Sequence, residues 1–215
     1  MEEPIKPPGR RDAHANRQRL LATAKGLFAA QGVEATSMHE IARVAGVGQG
    51  TLYRHYANKG EICQALIKED IAQFRERLLT MIENAQIIPS ALDRIDLLIA
   101  EKVYLTESHL PLFAEMEAAG GHRTRPARGP FHTWLHSQIV GLLNEAIANA
   151  EVSDLDTAFT ADAILSAVAP PIYISQRNEL GYSNERIIAG MRRLFIEGLR
   201  QPHAEHAAKK HNHSV

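Results

Sequence analysis

Residues 46–61 read GVGQGTLYRHYANKGE, and this stretch decides how the rest of the chain is understood. Glycines, a threonine, two tyrosines, an arginine, a histidine and a lysine crowd around one leucine, Leu52, and the only acid is Glu61 at the end. So many hydrogen-bond donors on so little apolar material make a contact surface rather than a core element. The residues just upstream set its context. Thr36-Ser37-Met38-His39-Glu40 has capping-box spacing, so a short helix begins there, with Ser37 accepting from a backbone N–H and Glu40 reaching back to the cap. Ile41, Ala42 and Ala45 form its inner face, and Gly46 supplies the positive φ that ends it. A second short helix runs from about Gln49 to Tyr56, anchored by Leu52 and Tyr56 one turn apart.

Ahead of this pair, Leu20, Leu21, Ala24, Leu27 and Phe28 recur at the spacing of an amphipathic helix that Gly32 stops. Three helices with a tight Ala45-Gly46-Val47 turn between the second and third have the layout of a helix-turn-helix. The outward face of the third is then Gln49, Gly50, Thr51, Tyr53, Arg54 and His55. Such a helix can enter the major groove, where Gln49 and Thr51 reach base edges and Gly50 allows close backbone approach. Tyr53, His55 and Lys59 suit phosphate oxygens, and Ser37 adds a hydroxyl on the other strand.

The charge distribution agrees with a polyanionic partner. Residues 1–60 carry nine cations and five acids, net +4, while the remainder carries fifteen cations and twenty acids, net −5. The whole chain of 215 residues has a net charge of −1, 45% apolar and 23% charged residues, a globular composition. Its single cysteine, Cys63, excludes an internal disulfide and reads as a small core residue. The N-terminus MEEPIKPPGRR has no apolar stretch after its charges, and no apolar run approaches the roughly 18 residues of a membrane helix, so a cytoplasmic protein without a membrane partner is expected.

The segment from about Asn16 to Leu66 resembles the DNA-binding domain of the TetR family of bacterial transcriptional regulators. Gly32, Thr36, Ile41, Ala42, Gly46, Val47, Gly50, Leu52, Tyr53, His55, Tyr56 and Lys59 carry the resemblance, with Tyr56 standing where phenylalanine is common. The resemblance implies an all-α protein of about nine helices: three in the DNA-binding head, a linking fourth, and a helical body that dimerises through its last two helices and encloses a ligand pocket. It implies operator contacts by Ser37, His39, Gln49, Gly50, Thr51, Tyr53, Arg54, His55 and Lys59. The corresponding division is an arm at 1–13, a head at 14–60, a regulatory and dimerisation domain at 61–202 and a His-rich tail at 203–215.

The remainder of the chain reads as helical throughout. Pro111 can open a short helix carrying Leu112, Phe113 and Met116, and the Gly-, Pro- and Arg-rich segment 120–130 reads as a loop. Helices follow from about 131 to 150, from about 155 to 177 with a kink at Pro170-Pro171, and from about 184 to 200. Phe159, Ala163, Ala167 and Ile174, with the stripe of the last helix, offer a face for a two-fold partner. Tyr104, Phe113, Met116, Phe131, Trp134 and Tyr173 are the candidates to line an effector pocket, with His109, His132 and His136 as polar contacts. No cofactor, metal constellation or activated nucleophile is visible, which argues against an enzyme. The expected function is a homodimeric repressor released from a palindromic operator by a small molecule. The competing class is an architectural DNA-binding protein whose body recruits a protein partner.

Overall fold

Caps and breakers set the helix boundaries of the computed structural model, which describes residues 10–83, 86–120 and 129–201. The arm up to residue 9, most of the Arg-rich segment 120–130 and the His-rich tail 203–215 lie outside the described residues. In chain order the helices are α1 (Arg10–Gln31), α2 (Met38–Ala45), α3 (Gln49–His55), α4 (Lys59–Ile82), α5 (Ala91–Ser108), α6 (Leu110–Ala118), α7 (Pro130–Ala148), α8 (Thr157–Ala167), α9 (Pro170–Asn178) and α10 (Asn184–Arg192). The last continues as a π-helical turn, Arg193–Glu197. Among the described residues the only β pairing is an isolated bridge between Val152 and Arg200. Among the described residues the fold is therefore all-α, with ten α-helices, or nine when α8 and α9 are counted as one interrupted element.

The local chemistry of the ends is direct. Ser37 caps α2 by accepting from the Glu40 N–H at 3.1 Å. Glu40 does not complete the expected box: its carboxylate accepts from Gln31 at 2.8 Å, because the end of α1 lies within reach of that side chain. Gly46 closes α2 in the left-handed region, φ 66°, and Val47 N–H donates to the Ala42 carbonyl at 3.1 Å, the Schellman arrangement. Asn58 accepts from Glu61 N–H at 3.0 Å and opens α4, while the Glu61 carboxylate reaches back to Ala57 N–H at 2.7 Å. Asp156 and Ser183 cap α8 and α10 in the same way.

Pro170-Pro171 does more than kink a helix. A proline at 170 clashes with the carbonyl four residues back and has no N–H to donate, so α8 stops at Ala167. Ala169, held extended by the proline that follows it, becomes the N-cap of α9, and Pro170 its first residue. The stretch Thr157–Asn178 has the length and mean hydropathy, 1.3, of a membrane-crossing segment, but this break divides it into two short helices.

The chain forms two compact units. One takes in α1, α2, α3 and α4 through Phe74, together with α6 from Ser108; the other runs from Arg75 to Glu107 and resumes with α7. The first is centred on Leu20, Ala24, Ile41, Ala42, Leu52 and Ile62, all essentially solvent-free, and on Cys63, whose thiol burial pushes up to about 12. Leu112 and Met116 of α6 belong to the same core. Gly60 allows α6 to come this near: a Cβ there would lie 2.8 Å from the Ala119 Cβ. Each buried leucine, isoleucine or methionine among them contributes about 1.5–3 kcal/mol of burial free energy.

In the second unit Leu92, Ile95, Leu98, Ile99 and Val103 of α5 are buried, as are Leu135, Ile139 and Leu143 of α7, Ile164 of α8 and Ile188 of α10. One group of its polar side chains is closed into a network. Tyr173 donates to Asn184 Oδ1 at 2.5 Å, Asn184 donates to Glu107, and Arg177 bridges Glu107 at 2.8 Å and the Tyr182 carbonyl at 2.6 Å. The N-terminus of α5 is satisfied from afar by Glu151, which accepts from Ser90 Oγ at 2.5 Å and Ala91 N–H at 2.8 Å.

Candidate nucleic-acid interface

The surface in question is built by α2 and α3. Leu52, fully buried, and Tyr56, at the end of α3, pin the helix from below, so the remaining residues of α3 face outward. Gln49, Gly50, Tyr53 and Arg54 are exposed, with Tyr53 at 52%, and Thr51 and His55 are half-buried. No acid interrupts α3. Nothing lies within 4 Å of a Cβ placed on Gly50, so that position presents bare backbone to open space.

Ser37 and His39, also exposed, sit in the first turn of α2. The Gln49 side-chain amide contacts the His39 Nδ1, a link between the opening turns of the two helices. Eight of the nine sequence-derived positions, Ser37, His39, Gln49, Gly50, Thr51, Tyr53, Arg54 and His55, thus belong to one two-helix element.

Lys59 is placed differently. Its side chain is only 15% exposed, and its ammonium donates to the carbonyls of Val33 at 2.8 Å and Thr36 at 3.1 Å and pairs with Glu115 at 3.0 Å. It holds the α1–α2 connection to α6. Sequence spacing put the residue beside α3 but could not show that an α6 carboxylate would meet it. Arg17 of α1, not singled out from sequence, donates from Nε to the Tyr56 hydroxyl at 3.2 Å. The ring of Tyr56 is buried with its hydroxyl at the edge, and burial pushes the phenol pKa up. His55 is held below its ordinary value, first by burial and then by the neighbouring Arg54 and Arg17, and its Nε2 is buried without a hydrogen-bond partner.

The six residues suggested for an effector pocket are divided between the two units. Met116 is buried in the core of the first unit, and Phe113 packs against that core with its ring edge-on to His109 at 6.0 Å. In the second unit Phe131 stacks on Trp134 at 6.0 Å, and the guanidinium of Arg75 lies 4.7 Å from the Trp134 ring. Tyr104 is 48% exposed, and Tyr173 is fully buried with its hydroxyl committed to Asn184. A cleft of about 240 Å³ lies in the first unit, over Phe28, Val33, Leu66 and Leu112, with Lys25 and Asp70 paired at 2.7 Å on its rim.

Two short helices joined by a left-handed glycine turn, with a donor-rich and acid-free face on the second, define a helix-turn-helix DNA-binding protein. Residues 20–66 match the model of the bacterial regulatory proteins of the tetR family. An HTH-type transcriptional regulator of Staphylococcus aureus strain MRSA252 is 31% identical over 176 residues, 79% of this chain and 88% of that protein. A TetR-family transcriptional regulator from Pectobacterium atrosepticum superposes with a TM-score of 0.65 at 22% identity, covering 91% of this chain and 99% of that one. A structure described as a gamma-butyrolactone receptor superposes with a TM-score of 0.55 at 25% identity, covering 87% and 89%. The chain belongs to the TetR family of bacterial transcriptional regulators.

Proposed function

We propose that the protein is a cytoplasmic, homodimeric repressor that holds a palindromic operator through α3 and leaves it when a small molecule binds. The observation that carries the reading is the α3 face itself: donors on every outward position, bare backbone at Gly50, and a buried Leu52 that fixes the orientation. Gln49 and Thr51 are assigned to base edges, and Ser37, His39, Tyr53, Arg54 and His55 to the flanking backbone. Lys59 acts by bracing the head, because its ammonium is already engaged.

One head makes too few contacts for tight specific binding, which is the physical reason for a dimer on half-sites about 34–36 Å apart. Phe159 on α8 and Leu194 beyond α10 support this reading, at 71% and 68% exposed. Apolar side chains left open on the last helices suit a self-complementary interface. Ligand response rests on the family and on the neighbour described as a gamma-butyrolactone receptor. An effector would act by favouring the dimer geometry that misplaces the two α3 helices, since equal affinity for both states shifts nothing.

Capture of bound genomic fragments, followed by footprinting on the enriched sequence, tests the reading. Two protected half-sites with dyad symmetry and two chains per site are expected. A single protected half-site bound by one chain would overturn the dimeric repressor.

A further inference from the structure

Among the described residues the second unit buries two cationic side chains, Arg94 and Lys102. They are treated differently by their surroundings. Arg94 pairs with the Glu145 carboxylate and donates to the Ile82 carbonyl at 3.0 Å, so its charge is compensated. Lys102 is 9% exposed and meets only neutral dipoles. Its ammonium donates to Thr106 Oγ1 at 2.6 Å and points toward the Val168 carbonyl at 3.4 Å, beyond good hydrogen-bond length. Thr106 Oγ1 in turn donates to the Lys102 carbonyl at 2.8 Å, so its own proton is taken.

The positions one turn back on both helices are apolar. Leu98 and Ile99 precede Lys102 by one turn of α5, and Ile164 and Leu165 precede Val168 by one turn of α8; all four are buried. A buried charge with no counter-charge is among the costliest arrangements a fold can hold. Capping the interrupted end of α8 does not account for it, because a hydroxyl or amide would satisfy one carbonyl without desolvating a full charge. Burial pushes the ammonium down to about 8, so at neutral pH it remains mostly protonated.

We infer that Lys102 is the anion-recognising group of an effector site in this unit, and that the effector is a monoanionic carboxylate with an apolar remainder. This rests on the reading above that the chain answers to a small molecule. One negative charge brings the site to neutrality, whereas a dianionic phosphate would leave an uncompensated charge among Leu98, Ile99, Ile164 and Leu165. The ammonium has three N–H donors and one short hydrogen bond, which leaves donors for a carboxylate oxygen. Thr106 aims the ammonium and Val168, at the helix break, borders it.

The test is a titration of the full-length chain, alone and on its captured operator, with the straight-chain carboxylates from acetate to dodecanoate and with the matching primary alcohols. Calorimetry reads binding, and fluorescence polarisation of the labelled operator reads release. At least one carboxylate should bind once per chain, at least about tenfold tighter than its alcohol, and the preference should vanish in Lys102→Met and in Lys102→Gln. Both variants are checked for cooperative unfolding before titration. No binding by any carboxylate at millimolar concentration, or a preference that survives in a folded variant, overturns the inference. Binding that depends on Lys102 but leaves DNA affinity unchanged upholds the anion site and defeats ligand-controlled release. Release by a neutral molecule with no dependence on Lys102 does the reverse.

Discussion

Lys102→Met should make the ligand-free protein more stable at neutral pH, against the usual direction for a core substitution. The ammonium falls from its ordinary 10.5 to about 8 on burial. At 1.36 kcal/mol per pH unit, keeping it charged in the fold costs about 3 kcal/mol. Methionine retains most of the apolar stem but leaves the Thr106 hydroxyl oxygen without its donor, a loss of about 1 kcal/mol. The variant should therefore gain about 2 kcal/mol, or about 4–8 °C in Tm for a chain of this size. The pH dependence has a defined sign. A lysine with a lowered folded pKa favours the fold above its unfolded value, and that contribution is lost as pH falls through the folded value. The advantage of Lys102→Met should accordingly be full below about pH 8, shrink as pH rises toward 10.5, and reverse near the top of that window. Urea unfolding of parent and variant between pH 7 and 10, at one fixed protein concentration, measures it. A variant no more stable than its parent at pH 7, or a difference indifferent to pH, would show that the ammonium is not the uncompensated charge described here.

Four further expectations follow from the head. Gly50→Ala should raise stability by about 0.5–1 kcal/mol, since its Cβ meets nothing, yet weaken operator binding; unchanged affinity would move the DNA away from that face. Leu52→Ala should cost about 2–5 kcal/mol in denaturant unfolding, through the cavity it leaves in the core. Arg54→Ala should weaken binding to all sequences alike and lower the salt slope by about 1, whereas Gln49→Ala should relax preference at particular base pairs; matching losses in the two would contradict the division of roles. Lys59→Met should destabilise the head by several kcal/mol, because two carbonyls and Glu115 lose their donor, and a fully stable variant that still loses DNA affinity would make Lys59 a direct contact instead.

Much of the head was legible because its signals are local. Ser37 and Gly46 each act within a turn of themselves, and the stripe from Leu20 to Phe28 needs no knowledge of its partner. What the sequence withheld is which distant side chain arrives. Glu40 meets Gln31 rather than its own cap, and Lys59 meets α6, because tertiary approach selects among partners that spacing alone leaves equivalent. The double proline carried a clear signal for distortion; that both residues would sit inside a new helix after a complete stop depended on Ala169 adopting the extended cap. Lys102 offered one clue: it falls on the same stripe as Ile95, Leu98, Ile99 and Thr106, where a cation is out of place.

The seating of Leu112 and Met116 in the core of the head bears on how this regulator can be cut and recombined. A fragment ending after α4 would carry an open groove where those two side chains belong, with Gly60 facing empty solvent, and should be sticky and short-lived in cells. A chimera that transplants this reading module onto a foreign sensor must therefore bring residues 108–120 along with 10–74, so the unit of exchange is discontinuous in the gene.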